Sequence, residues 1–242
     1  MVYYVPDRTG RFRKRPFWKE EELDRECETL ITAFLRRRHN KVEYPVQTDD
    51  LTVMIEEEVE SLDPYADLSK HGSDVEGVTI FTPGRKPRVE IASFLSEDER
   101  RENRLRTTLT HEYGHVHFHG PLFAEHQDQM DLFASASVEP DVVRCKRDTM
   151  IEAPQVDWME WQAGYVCGAL LMPLSAVRRT LGAVHERLGS SEPVCADSLA
   201  GEDMIQAVVR GFQVSSHAAR VRLQRLGYLG TPSGSQSLFT TV

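Results

Sequence analysis

The sequence lacks a long hydrophobic run. Its longest nearly uncharged stretch, from Ala163 to Ala176, is shorter than the roughly 20 apolar residues that a membrane-spanning helix needs. Residues 1–7 also lack the cationic segment and the following apolar stretch of a signal peptide. We therefore expect a cytoplasmic protein that does not enter a membrane.

Cysteine is also scarce. The chain has four widely spaced cysteines and no C-x-x-C pair, so a disulfide framework is not expected. Cys167 lies in an apolar helical stretch, which favours a buried thiol over a metal ligand. We interpret all four as reduced thiols: Cys27, Cys145, Cys167 and Cys195.

The chain has no excess of positive charge. With 29 Lys and Arg against 38 Asp and Glu, its formal net charge is -9, which argues against a surface that binds nucleic acid throughout. Basic residues are nevertheless concentrated in residues 1–19, where Pro6, Gly10 and Pro16 predict an extended arm. This arm is interpreted either as a solvated tail or as a contact for an acidic partner.

Helical and strand patterns along the rest of the chain predict an α+β fold. Apolar residues at spacings of three and four predict a first helix over 20–38, and a second helix is predicted within 49–64. Residues 75–81 and 88–92 predict two strands joined by a turn. The edge of this hairpin is expected to accept an extended peptide. A further helix is predicted over 158–172, before a proline.

Shifts in composition predict the domain organisation. After residue 181 the chain is rich in Gly, Ser and acidic residues, as in a linker, and a compact helical block follows. The predicted segments are an N-terminal arm and helix at 1–44, a main domain at 45–181, a linker at 182–203, a helical block at 204–229 and a flexible tail at 230–242.

The helical block resembles a helix-turn-helix element. Apolar helical spacing occurs on both sides of residues 211–216, which predict a turn with a serine cap. Between Met204 and Leu229 there are four arginines and no acidic residue, so contact with DNA phosphates is one interpretation. The preferred interpretation is that the block packs on the main domain or holds a protein substrate.

The segment His111–His115, H-E-Y-G-H, is predicted to lie on a helix capped by Ser96. Residues four apart share one face of an α-helix, so His111 and His115 can bind one metal ion. Glu112 lies about 100° around the helix, which suits a carboxylate that contacts a reacting water but not the metal. The motif predicts zinc-dependent peptide hydrolysis with Glu112 as the general base.

His119 extends the series of histidines but is not expected to bind the same ion. Eight residues of helix rise about 12 Å, and ligands of one zinc ion cannot be so far apart unless the helix breaks. We therefore interpret His119 as a supporting or packing residue and His117 as exposed.

A catalytic zinc ion needs a third protein ligand, and Glu160 is the best candidate. A structural interpretation of the same residue is available, because Asp157 as N-cap with Glu160 three residues later fits a capping box. The residues alone support both interpretations equally. Glu152 and Asp157 are weaker candidate ligands. Two histidines and a glutamate suit Zn²⁺ but also admit Mn²⁺ or Fe²⁺.

Two segments together resemble the ImmA/IrrE family of metallopeptidases. They are L-T-H-E-Y-G-H-V-H-F-H at 109–119 and E-W-Q-A-G-Y-V-C-G-A-L-L-M-P at 160–173. In that family the second segment reads E-x-x-A-N-x-F-A-x-x-L-L-M-P and its glutamate is the third zinc ligand, so the resemblance implies that Glu160 binds the metal. Gly164 stands where the family usually has Asn, so the support around the ligands is expected to differ here.

The resemblance covers roughly residues 45–180 and implies a zincin-like fold of gluzincin type, in which a small antiparallel sheet packs on the active-site helix. It also implies a function, because several such proteins cleave a helix-turn-helix repressor and so release stress or mobile-element genes. We therefore expect a zinc-dependent regulatory endopeptidase that makes a limited cut in a protein substrate of the repressor type. The alternatives are a DNA-binding regulator with a structural or sensory zinc site, and a less selective peptidase.

Overall fold

A computed structural model describes residues 3–131, 139–188 and 193–230. The chain forms two compact units, Met1–Leu171 and Met172–Val242. The sequence suggested a boundary ten residues later, followed by a linker. The predicted tail at 230–242 lies outside the described residues, apart from residue 230.

The first unit combines helices and strands. Its helices are α1 (Glu20–His39), α2 (Thr48–Glu56), α3 (Ser93–Ser96), α4 (Glu102–Gly114), α5 (Gly120–Asp131) and α6 (Trp158–Leu171). Its strands are β1 (Tyr3–Pro6), β2 (Lys14–Phe17), β3 (Ser61–Ala66), β4 (Val75–Phe81), β5 (Arg88–Ala92) and β6 (Asp141–Lys146). A π-helical turn, His115–His119, joins α4 to α5.

The main sheet has four strands in the order β3, β5, β4, β6. Strand β4 is antiparallel to β5 and β6, but β3 is parallel to β5. The prediction of an antiparallel sheet is therefore wrong at this edge. Strand β3 was not predicted, because Pro64 was interpreted as the end of a helix. An edge strand such as β3 tolerates proline.

The β4–β5 hairpin lies inside the sheet. Each of its strands has a neighbour on both sides, and all seven residues of β4 are buried. The prediction that this hairpin presents a free edge to a peptide is therefore wrong.

The N-terminal arm is a hairpin of β1 and β2 that packs on the first unit. Phe12 in its loop is only 5% exposed and contacts Phe123 and Trp158 edge to face. The Trp158 indole N–H donates to Asp7 Oδ1 at 3.1 Å. The interpretation of the arm as a solvated tail is wrong, because burial of the apolar Phe12 side chain stabilises the arm against the rest of the unit.

Helix α4 packs on the sheet and on α6, and α1 also packs on α6. The predicted apolar stripe on α1 is largely buried, as Leu23, Cys27 and Ile31 show. Helix α4 begins at Glu102, so the predicted start at Ser96 is wrong. Ser96 instead ends the short α3.

The second unit is mainly helical. Its elements are α7 (Leu174–Leu188), β7 (Val194–Cys195), α8 (Leu199–Phe212), α9 (Ser216–Arg225) and β8 (Leu229–Gly230). Residues 182–188 and 199–203, which the sequence assigned to a linker, are helical. Across the described ranges, no helix has the length and hydropathy to cross a membrane.

Candidate metal centre

Three side chains from α4, the π-helical turn and α6 converge on one point. Glu160 Oε2 lies 3.1 Å from His111 Nε2, and Glu160 Oε1 lies 3.3 Å from His115 Nε2. The two Nε2 atoms are 3.1 Å apart. Zinc–nitrogen bonds of about 2.1 Å in tetrahedral geometry place ligand atoms roughly 3.4 Å apart. The spacing of the cluster is therefore suitable for a single metal ion.

A close helix crossing brings Glu160 to the histidines. Gly114 faces Ala163 of α6, and a β-carbon at Gly114 would lie 3.1 Å from the Ala163 Cα. A larger residue would push the helices apart. The glycine within H-E-Y-G-H therefore lets the third carboxylate reach the pair of histidines.

The carboxylate of Glu160 faces the histidines and does not close a capping box. Asp157 accepts a long hydrogen bond from the Glu160 N–H at 3.5 Å, as an N-cap does. The reciprocal bond is replaced, because the Asp157 N–H donates to the Pro154 carbonyl at 2.9 Å. Of the predicted candidates, Glu152 and Asp157 do not belong to the cluster found among the described residues.

The cluster is buried, and its charges are strongly coupled. His111 and His115 are fully buried and Glu160 is 9% exposed. Burial opposes ionisation of Glu160, but His115 and His111 outweigh it and lower the pKa of this carboxyl. Burial likewise lowers the pKa of His111, yet Glu160 outweighs it and the net pKa is raised. The cluster thus draws a proton to its centre, and a bound cation would displace that proton.

A backbone carbonyl orients His111. Its Nδ1 lies 3.0 Å from the Met150 carbonyl oxygen, which can only accept, so a neutral His111 carries its proton on Nδ1 and turns its Nε2 lone pair toward the cluster. Gly164 makes this contact feasible, since a β-carbon there would lie 2.7 Å from the same oxygen. The absence of a side chain at Gly164 therefore admits the Met150 carbonyl.

Glu112 is fully buried beside the cluster. The Thr79 hydroxyl donates to Glu112 Oε2 at 2.5 Å, and Oε1 has no hydrogen-bond partner in the described parts of the chain. Burial raises the pKa of Glu112, although His115 and His111 act in the opposite direction. A β-carbon at Gly77 would clash with Oε1. Gly77 and Thr79 therefore shape the space in which this carboxylate sits.

Cys145 lies close to the same carboxylate. It pairs with Gly77 across β4 and β6, and its thiol is fully buried. Burial raises the pKa of this thiol well above its usual value, and the neighbouring Glu112 and Glu160 raise it further. Cys145 is a free cysteine, so the expectation of a reduced thiol is confirmed at this position.

Sequence reasoning missed Gly77, Thr79, Met150 and Cys145. Gly77 and Thr79 could have been predicted to act together, because positions two apart on a strand face the same side and both residues are small. No signal was present for Met150, since it acts through its main chain. Cys145 lies on β6, a strand that the sequence did not reveal.

The two later histidines differ in their surroundings. His117 is half-buried and lies 3.0 Å from Glu58, so the expectation that it is exposed is wrong. His119 is fully buried, and its Nδ1 lies 3.0 Å from His115 Nδ1. Burial and the neighbouring His115 lower the pKa of His119 to about 3, so it is neutral near pH 7. His119 thus lies behind a cluster residue and outside the converging group.

The arginines of the C-terminal block are partly used inside the second unit. Arg222 is 2% exposed and donates to the Met172 carbonyl at 3.1 Å. Arg220 pairs with Asp197 at 2.8 Å. Two of the four arginines are therefore engaged within the fold, which weakens the interpretation of this block as a phosphate-binding face.

The converging atoms are two imidazole nitrogens and a carboxylate, a donor set that suits zinc and leaves a coordination position for a reactant. A carboxylate that does not belong to this set, Glu112, stands beside it. The arrangement can place a base next to a bound metal ion at a buried position. No protein-family model matches the chain, and a search of curated proteins finds no match.

Proposed function

We propose that this protein is a zinc-dependent endopeptidase that makes a limited cut in a protein substrate, a repressor of the helix-turn-helix type. One observation carries the hydrolytic part of the proposal: His111, His115 and Glu160 form a buried cluster of metal-ligating atoms within 4.8 Å of one another, with Glu112 beside it. The repressor is proposed from the paired H-E-Y-G-H and E-W-Q-A-G segments.

His111 Nε2, His115 Nε2 and one oxygen of Glu160 would hold the zinc ion. When bound, zinc supplies Lewis-acid chemistry, since it polarises a peptide carbonyl and makes water more acidic. Retention of Glu160 as an anion fits this role, because the two histidines lower its pKa despite burial.

Glu112 performs the proton transfers. Its Oε1 takes a proton from the attacking water, and the same carboxyl then gives a proton to the leaving amine nitrogen. Thr79 holds Oε2, so the carboxylate cannot rotate freely and Oε1 stays available. Burial excludes bulk water, which would otherwise compete for these protons.

The enclosure of the site supports a selective cut over general degradation. His111, Glu112 and His115 have no exposed surface, so an extended peptide reaches them only after covering segments move. A substrate must supply binding energy for that movement, which favours a particular protein over any unfolded chain. The less selective peptidase is therefore the weaker alternative.

The experiment compares new N-termini in a bacterial lysate after incubation with the zinc-loaded protein or with its Glu112→Gln variant. We expect a few new termini with the wild-type protein and none with Glu112→Gln, while the zinc content stays at one ion per chain. Glu99→Gln, which removes an exposed carboxylate upstream of α4, is the matched control and should behave as wild type.

The outcomes separate the alternatives. Equal cleavage by Glu112→Gln would reject the mechanism, and termini from many unrelated proteins would indicate an unselective peptidase. Absence of cleavage, together with salt-dependent binding to one operator, would favour the DNA-binding regulator.

A further inference from the structure

A chain of hydrogen bonds runs from the metal centre to the N-terminal hairpin. His115 Nδ1 lies 3.0 Å from His119 Nδ1, and His119 Nε2 lies 3.1 Å from Gln162 Oε1. Gln162 Nε2 donates to the Pro16 carbonyl oxygen at 3.3 Å. The three side chains are between 0% and 1% exposed, so water does not substitute for any of these contacts. We call these four groups the support chain.

The far end of the support chain fixes the direction of every proton in it. The Pro16 carbonyl can only accept, so the amide nitrogen of Gln162 faces Pro16 and its oxygen faces His119. That oxygen can only accept, so His119 carries its proton on Nε2. His119 Nδ1 is then an acceptor, and His115 must carry its proton on Nδ1.

The consequence appears at the metal centre. With its proton on Nδ1, His115 turns the lone pair of Nε2 toward His111 and Glu160, which is the form that binds a metal ion. The wrong tautomer would place an N–H between the other two ligands. Groups that hold a ligating histidine through its second nitrogen typically change metal affinity about 10–100-fold when they are removed.

We infer that His119 and Gln162 are positioning residues that fix the tautomer and orientation of His115, with the direction of the support chain set by the Pro16 carbonyl of the N-terminal hairpin. The inference rests on the proposed metal site. His115 and His119 are the first and last residues of the π-helical turn, a feature that is frequent at functional sites. The support chain also links the hairpin, which lies far from the H-E-Y-G-H motif in sequence, to metal binding.

The direct test reads the tautomers by nitrogen NMR of ¹⁵N-histidine-labelled, zinc-loaded protein. We expect His119 to carry its proton on Nε2, and His115 to show zinc on Nε2 with its proton on Nδ1. A proton on His119 Nδ1, or an imidazolium at His119, would overturn the inference. This measurement needs no variant and no substrate, so it is independent of the proposed peptidase activity.

A second test measures the zinc dissociation constant by chelator competition in three variants. His119→Leu removes the acceptor and should weaken zinc binding about 10–100-fold. His119→Asn places an amide oxygen near the position of Nδ1 and should restore most of the affinity. Gln162→Met keeps the shape of the side chain but removes its polar atoms, and should weaken binding about tenfold, the low end of that range.

A purely structural role for His119 predicts a different pattern. Leu and Asn variants would then bind zinc equally well, or lose the same affinity, and either result would overturn the inference. Should His119→Leu fail to fold, Gln162→Met carries the same test, because unchanged zinc affinity in a folded Gln162→Met protein also contradicts it. A protein that shows the expected tautomers and affinities but cleaves nothing would reject the proposed function and keep the support chain.

Discussion

The helix that carries the histidines has a pair of residues four apart on each of two faces, and the two pairs have different surroundings. On the inner face, His111 and His115 direct lone pairs at the buried Glu160, so three acceptor groups face one another. On the outer face, Tyr113 and His117 are also four residues apart, and their rings stack at 5.4 Å. There the partner carboxylate, Glu58, accepts from the Tyr113 hydroxyl at 2.7 Å and lies 3.0 Å from His117.

The difference shows what turns a pair at i and i+4 into a candidate metal centre. The outer carboxylate is satisfied by donors and by solvent, since the side chain of Glu58 is 34% exposed. The inner carboxylate meets two nitrogens whose protons are held elsewhere, and its side chain is only 11% exposed. Acceptors that converge without water need a positive charge between them. The inner face can therefore hold a metal ion in place of a proton, whereas the outer carboxylate already has the Tyr113 hydroxyl as its donor.

The largest difference between the two faces is expected when Glu160 and Glu58 are each replaced by alanine. Loss of a residue that only supports a metal ligand lowers metal affinity by up to about 100-fold. Because we propose that Glu160 binds the metal itself, Glu160→Ala should lower zinc affinity by more than this. Glu58→Ala should still bind one zinc ion with the wild-type dissociation constant. Metal analysis after gel filtration, followed by chelator competition, provides the measurement. Equal zinc binding by the two variants would remove the basis for distinguishing the faces.

A second comparison concerns glycines. Gly77→Ala puts a methyl group against Glu112 Oε1, whereas Gly182→Ala meets nothing within 4 Å. Displacement of a catalytic group by about 1 Å can cost about 100-fold in rate, so Gly77→Ala should lose cleavage to that extent and retain its zinc. Gly182→Ala should cleave normally, and its helix should gain up to about 1 kcal/mol in stability. Loss of zinc in Gly77→Ala would indicate damage to the fold and not to the base.

The local parts of this structure were predictable from sequence. Strands β4 and β5 have the predicted limits, because each is a short apolar run between turn residues. The helix over Trp158–Leu171 also matches its prediction, since Pro173 prevents it from continuing. The pairing of His111 with His115 needed only the helical repeat.

The non-local parts were not predictable in the same way. Glu160 satisfied two patterns equally, and only the crossing of α4 and α6 at Gly114 decides which way its carboxylate turns. Met150 orients His111 through a main-chain oxygen, which leaves no mark on the residue type. The direction of the support chain depends on the Pro16 carbonyl, 146 residues away from Gln162 along the chain. Such contacts follow from tertiary packing.

The smallest expected effect comes from Thr79, and it separates the contribution of its hydrogen bond to Glu112 from that of its packing. Thr79→Val keeps the size of the side chain but removes the hydroxyl that donates to Glu112 Oε2, and Thr79→Ser keeps the hydroxyl. A hydrogen bond to a charged group contributes about 1.5–3 kcal/mol. Because about 1.4 kcal/mol corresponds to a tenfold change in rate, the lower end of that range predicts a loss of about tenfold. We therefore expect cleavage to fall about tenfold in Thr79→Val, to recover in Thr79→Ser, and zinc affinity to stay constant in both. Parallel losses in the two variants would mean that packing on β4, and not the hydrogen bond, keeps the base in place.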